Sequence, residues 1–390
     1  MDWLDVVIVL IKVLVIFGFL LVSVMMTIWV ERRIVAFMQQ RYGPNRVGPF
    51  GMLQSLADGV KLFFKEDIKP ITADEPVYTL SPMFSLIPAF MAFAIIPVGT
   101  GITIGGRTIN FQLADLNIGV LFFLAMGSLM VYGVVLAGWS SGSAYPLLGA
   151  VRSTAQMISY EMGLGLATVA VVLYAGTLST RGIVDAQAGT YFWIVPRWFI
   201  LPQFPAFVMF LIAGIAESNR APFDLPEAET ELVAGYHTEY SGIKFAMFFL
   251  AEYLHVITTS AIIVTLFLGG WRGPIIPFAT WVWPIAYFMG KMGALIFIFI
   301  WARATLPRLR YDRLMRIGWK IFIPAGLAWV MITAALVVLP QEVERSTLIW
   351  WVAPVFGIAF AFAMVKVTRD TLAEVRKSSA LRGGVPAGGR

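Results

Sequence analysis

The sequence predicts an all-α polytopic membrane protein, and three observations carry that expectation. Of its 390 residues 59% are hydrophobic and only 13% are charged, with a mean hydropathy of +0.79. Soluble domains carry about 25% charged residues. Apolar runs recur at the length of about 20 residues that a helix needs to cross the hydrocarbon core. Lys and Arg crowd into alternate connections between those runs, the pattern that sets membrane topology.

About nine runs qualify as spans: 4–29, 80–98, 117–139, 157–176, 198–217, 244–268, 283–302, 321–339 and 347–366. The first follows Asp2 and Asp5 and lacks a basic leader and a small-residue cleavage site, so it reads as a retained span. Connection 30–79 holds Arg32, Arg33, Arg41, Arg46, Lys61, Lys65 and Lys69, and connection 303–320 holds Arg303, Arg308, Arg310, Arg313, Arg316 and Lys320. More follow from Lys366 onward, whereas the alternate connections hold only Arg107, Arg181, Arg197, Arg272 and Arg345. The rule puts the basic connections in the cytoplasm, the N-terminus outside and the C-terminus inside.

Residues 50–68 (FGMLQSLADGVKLFFKEDI) place Gln54, Asp58, Lys61 and Lys65 on one helical face and Leu53, Leu56, Val60, Phe63 and Phe64 on the other. That pattern predicts an amphipathic helix lying in the cytoplasmic interface. Residues 378–390 (SSALRGGVPAGGR) are rich in glycine and predict a disordered end to the tail.

Several classes of function are excluded. The chain has no cysteine, which removes iron–sulfur ligation, disulfides and thiolate zinc sites. Two histidines, His237 and His255, do not supply paired haem ligands on facing helices, and no GxxxxGK[ST] loop occurs. No serine or cysteine nucleophile signature stands out, so redox or hydrolytic chemistry by this chain alone is not expected. The net charge of +6 reflects topology-setting loops rather than nucleic-acid binding.

Charges inside the spans are the chemical signal. Glu161 lies just inside the fourth run, Glu217 ends the fifth and Glu252 lies about two turns into the sixth; Lys12 and Lys291 fall in the first and seventh. A charge at the bilayer centre costs roughly 2.5–3.5 kcal/mol, so such groups pair or carry ions. For the lysines the expected role is a carboxylate partner that locks helices together. The acids outnumber those lysines. They point toward AESNRAPFDLPEAETELVAGYHTEY (216–240), which adds Asp224, Glu227, Glu229, Glu231 and Glu239. Clustered carboxylates in low dielectric cannot all ionise, so a line of them holds and passes protons. Glu227 and Glu231 share a helical face; Asn219 to Pro222 breaks the preceding helix.

ERRIVAFMQQRYGPNRVGPFGMLQSLADGVKLFFKEDIKP (31–70), GWSSGSAYPLLGAVRSTAQMISYE (138–161), AESNRAPFDLPEAETELVAGYHTEYSGIKFAMFFLAEY (216–253) and RATLPRLRYDRLM (303–315) resemble the H subunit of bacterial NADH:quinone oxidoreductase, respiratory complex I, the counterpart of mitochondrial NADH dehydrogenase subunit 1. The resemblance runs over about residues 5–340. It implies an eight-span family core (1–340), an extra C-terminal span (341–366) and a cytoplasmic tail (367–390).

The resemblance further implies a core membrane subunit of a proton-translocating complex in the bacterial inner membrane. In the family this subunit frames the quinone-chamber entrance and begins the proton path that links quinone reduction to translocation. Glu161, Glu217, Glu227, Glu229, Glu231, Glu239 and Glu252 match the proton-path positions. Arg32, Arg33, Arg41, Arg46, Asp58, Lys61, Glu66, Arg220, Asp224, Phe63 and Phe64 match the quinone-side and docking region. Pro226 departs from the family's commoner small residue.

Implied partners are peripheral-arm iron–sulfur and quinone-headgroup-binding subunits, small and antiporter-like membrane subunits, and the lipid bilayer; no nucleic acid is expected. No covalent or metal-held cofactor is expected, and ubiquinone or menaquinone is the substrate at the interface with partners. A greasy aromatic slot suits an apolar quinone tail, and Phe37, Met38, Phe50, Met52, Phe63, Phe64, Met247, Phe248 and Phe249 supply candidates. Rival readings are the membrane anchor of a related hydrogenase-type complex and a free-standing ion transporter, which would show inverted repeats; none is evident.

Overall fold

The structure is a computed structural model that describes residues 3–104, 107–191, 195–224, 233–274 and 281–338, together with 352, 354–360, 362, 365, 366 and 369. It is an all-α polytopic membrane bundle. The long helices are α1 (Trp3–Met38), α3 (Glu75–Phe93), α4 (Gly119–Ser140), α5 (Ala144–Ala175), α8 (Gly242–Phe267), α9 (Val282–Thr305) and α10 (Tyr311–Val338). These seven, among the described residues, are long and apolar enough to cross a membrane. Shorter helices are α2 (Gln54–Phe64), α6 (Thr180–Ala186) and α7 (Phe204–Glu217). Two antiparallel hairpins, β1 (Ile102–Ile104) with β2 (Arg107–Ile109) and β3 (Thr190–Tyr191) with β4 (Val195–Pro196), are the only sheets among the described residues.

Helix α8 is the axis of the bundle. It packs against α1, α2, α3, α7 and α9, and from Ala251 to Phe267 all but Glu252 are buried. A helix hydrophobic on every side is stable only where protein surrounds it. By contrast α1 exposes apolar residues along most of its length, as a helix facing lipid or a partner does. Helices α3 and α4 approach closely: a Cβ on Gly133 would overlap Ser85 Oγ.

Eight of the nine expected runs fall on helices, but the ends differ. At 36 residues, α1 is about 54 Å long, more than the roughly 30 Å core needs. Its last turns carry Glu31, Arg32 and Arg33 on a helix instead of in a loop. Starting after the turn at Gly142 and Ser143, α5 puts Glu161 near its middle rather than just inside its start. The fifth run is shorter than expected: α7 begins at Phe204, with Pro205 in its first turn, because Pro202 pushes the residue before it out of helical backbone. At its other end α7 stops at Glu217, ahead of Pro222 as expected. Gln156 of α5 holds this break by donating to the Ala216 and Phe223 carbonyls, both at 2.7 Å.

The expected amphipathic helix is α2, although it ends at Phe64 and leaves Lys65 in extended backbone. In α10 the turn Gly318–Phe322 is a π-helix. This wide turn lies against α5: Trp319 Nε1 donates to Ser159 Oγ at 3.0 Å, and the Phe322 ring packs on Tyr160. Of the ninth run, residues 354–360 are helical. There Phe356 packs on Trp329 and Phe360 on Phe322. Most of the remainder of that run and nearly all of the 367–390 tail lie outside the described residues.

Candidate functional site: a charged cavity and the carboxylates behind it

A cavity of about 750 Å³ opens between the polar end of α1, the first turns of α8 and the end of α9. Its walls include Glu31, Arg32, Gln39, Arg41, Tyr42, Arg220, Phe249, Glu252, Tyr253 and Arg303. Pockets for small organic ligands typically run from about 300 to 1,000 Å³.

Arg220 is the hub of the inner wall. Its guanidinium lies 2.6 Å from Glu252 and 3.4 Å from Glu31, and stacks over the Tyr253 ring at 4.1 Å. Glu31 also pairs with Arg303 and accepts a 2.7 Å hydrogen bond from the Tyr253 hydroxyl. Arg220 and Glu31 are both buried. Burial disfavours the Arg220 cation, but Glu252, Tyr253 and Glu31 more than offset it and push its pKa further up, so it is permanently charged. Two carboxylates thus face two arginines, a nearly neutral cluster in a low-dielectric wall.

Behind this wall lies a second, small cavity of about 20 Å³, lined by Ser85, Glu217, Asn219, Tyr236, Glu252 and His255 among others. It has room for a single water. Glu252 therefore borders both cavities. Glu217, the last residue of α7, is buried, and its Oε2 lies 3.7 Å from His255 Nε2. On its other side, a Cβ on Gly127 of α4 would come within 2.8 Å of Glu217 Oε1, so a glycine there admits the carboxylate. The next residue, Ser128, donates to the Glu161 carboxylate on α5. Polar groups thus follow one another from the large cavity through Glu252 and Glu217 to Glu161.

The remaining expected residues scatter around this core. Arg32 lines the cavity and pairs with Asp58 of α2 at 2.7 Å. Arg41 lines it too and donates to Gln39 Oε1. Arg33 stacks over Trp29 and Phe50. Arg46, Lys61, Glu66, Phe63 and Phe64 border neither cavity, and both phenylalanines are exposed. Of the aromatic and methionine candidates, Phe249 alone lines the large cavity; Phe248 is buried against Tyr236 and Tyr240.

Asp224 is half-buried beside His237. Burial pushes the His237 imidazole down to about 4, with Asp224 opposing, so the ring is neutral near pH 7. The Glu239 carbonyl accepts from Tyr78 at 2.7 Å, and Tyr78 stacks on Tyr240 at 4.1 Å. Glu227, Glu229 and Glu231 lie outside the described residues.

The lysines overturn their expectation. Lys291 donates to the carbonyls of Leu268, Gly270 and Arg272 at 2.6–3.0 Å and sits over the Trp198 ring. It neutralises the negative end of α8 rather than a carboxylate. Lys12 has no carboxylate partner among the described residues; it borders an apolar cavity of about 330 Å³ between α1, α3 and α9.

Sequence reasoning misses Glu31, Tyr253 and Arg303. A signal exists for Glu31: an acid directly after an apolar run, at the point where hydropathy ends the span. Arg303 reads in the sequence only as a topology marker, and Tyr253 carries no signal of its own beside Glu252.

Comparison with known proteins adds an independent line. The profile of the family described as NADH dehydrogenase matches residues 11–334. The chain is 53% identical over 367 residues to a protein of Frankia casuarinae named as the H subunit of NADH-quinone oxidoreductase, covering 93% of this chain and 79% of that relative. It is 54% identical over 344 residues to the protein of the same name from Frankia alni, covering 87% and 75% respectively.

Proposed function

This chain belongs to the NADH dehydrogenase family, and from that premise we propose how its cavities serve a membrane subunit of NADH-quinone oxidoreductase. The large cavity is the inner part of a quinone entrance. Arg32, Arg41, Tyr42 and Arg220 supply polar contacts to a carbonyl headgroup, and Phe249 supplies apolar contact on the α8 side. The row Glu252, Glu217, Glu161 is the start of a proton route leading away from it.

The observation that carries this reading is that Glu252 borders both cavities. A change of charge in the large cavity acts on Glu252 and its Arg220 partner at short range. The altered field then shifts how the buried acids behind them share protons. Glu227, Glu229 and Glu231 extend the same acidic group along the connection between α7 and α8.

In this reading the ends of α1 and α9 and the connection between α7 and α8 face the cytoplasm, with the N-terminus outside and the C-terminus inside the bacterial inner membrane. Peripheral-arm subunits carrying the iron–sulfur clusters and the remaining headgroup contacts dock on this face, and antiporter-like subunits continue the proton route. Residues 1–340 form the family core and 341–366 an additional span.

Glu217→Gln tests the route. Assembled complex is expected at wild-type levels on native gels, while quinone-coupled proton translocation in vesicles falls about tenfold, the ratio that roughly 1.4 kcal/mol of barrier represents. Full translocation by an assembled Glu217→Gln complex would reduce the carboxylate to a structural role.

A further inference from the structure

His255 is a buried imidazole beside the proposed route that the route itself does not use. It stands on α8 one turn beyond Glu252 and is buried. Its Nε2 faces two atoms: Thr259 Oγ1 at 3.3 Å and Glu217 Oε2 at 3.7 Å. Glu217 Oε2 is itself buried and makes no hydrogen bond.

The other groups facing this space are few. The break after α7 contributes Asn219, α8 contributes Glu252, the turn at Gly235–His237 contributes Tyr236, and α3 contributes Ser85. Among the described residues, α4 adds Met130 and Val134 and the break after α7 also adds Ser218, while Glu161 of α5 acts on Glu217 electrostatically. Glu252 is already held by Arg220, so His255 is the base that remains for Glu217.

The Glu217 carboxylate is buried beside the imidazole. An imidazole beside it changes the chemistry, because a proton can pass between them without altering the charge of the pair.

From this geometry we infer that His255 is a proton-sharing partner that sets the protonation of Glu217. The Glu217 carboxyl O–H bond breaks as the His255 Nε2–H bond forms, and the reverse step returns the proton to the carboxylate. The small cavity, with room for one water, lets this exchange proceed over 3.7 Å or through a bridge. Thr259 Oγ1, 3.3 Å from Nε2, holds the ring in place and accepts from it once the ring is protonated. The pair stores one proton as either a neutral couple or an ion pair, and so matches its neighbours' changing charge.

This inference rests on the proposed role of Glu217, and the test separates the two. The pH profile of quinone reductase and the protons translocated per NADH are measured for complexes carrying His255→Gln, His255→Asn, Glu217→Gln and the double variant Glu217→Gln/His255→Gln. If Glu217→Gln leaves both readouts unchanged, the route itself fails. If it moves a limb of the profile, the histidine variants are expected to move the same limb by about one pH unit and to lower the proton ratio. The double variant should then add nothing to Glu217→Gln alone. A wild-type profile in the histidine variants, additive effects in the double variant, or loss of assembly in both His255→Gln and His255→Asn would assign the ring to packing and overturn the inference.

Discussion

The two ends of α8 bury polar groups by opposite means. At its C-terminal end Lys291 caps three carbonyls. The buried Gln187 amide donates to the carbonyls of Ile183, Thr265 and Leu266 and accepts from the Phe199 and Gly269 N–H groups. The hydrogen-bond partners of Lys291 and Gln187 are all backbone. Toward its N-terminal end the partners are side chains: Glu31, Arg220, Glu252, Tyr253 and Arg303 neutralise one another beside an open cavity. The lesson is that one end satisfies its polar groups with backbone and the other with ionisable side chains beside a cavity. Backbone partners are fixed by the fold, whereas side-chain partners can exchange.

The sharpest way to break this contrast is Arg220→Met, which removes the Arg220 cation from Glu252 and weakens the hold on Glu31. Removing one partner of a buried pair costs about 3–5 kcal/mol. The expected outcome is loss of most assembled complex on native gels; wild-type assembly would mean that the charged end is more solvated than its burial implies.

At the closed end, Gln187→Ala leaves several buried backbone groups without partners, at about 1–3 kcal/mol. Here the complex should assemble but melt at lower temperature in detergent, with an unchanged KM for quinone. A raised KM would show that the closed end is coupled to the cavity after all.

Smaller still is the effect of acid on the loop between α7 and α8. The His237 imidazole, held down to about 4 from 6.5, binds its proton less readily folded than unfolded. Stability from this group is therefore complete above about pH 6.5 and is lost as the pH falls toward 4, by about 1.4 kcal/mol at pH 5.5. Between pH 7.5 and 5.5, the unfolding free energy of wild type should fall relative to that of His237→Gln by about that amount.

The same contrast marks what was legible in the sequence. Hydropathy located the long helices because lipid selects side chains, and side chains are what a sequence records. It misplaced helix ends wherever polar residues continue a helix past the apolar core, as Glu31 to Arg33 do on α1. The acids Glu161, Glu217 and Glu252 were visible as isolated charges in apolar runs. Their separation by Gly127 and Ser128 was not, since it depends on how closely α4, α5 and α7 approach. Lys291 is visible in the sequence, but its partners are not, because carbonyl acceptors leave no trace in residue identity.

The π-turn at Gly318–Phe322 carries a consequence for any residue numbering along α10. One surplus residue in a single turn rotates everything after it by about 100° relative to a regular helix. Faces inferred by counting turns across residue 318 therefore point the wrong way. Deleting one residue from this turn would restore regular winding and swing Trp319 off Ser159.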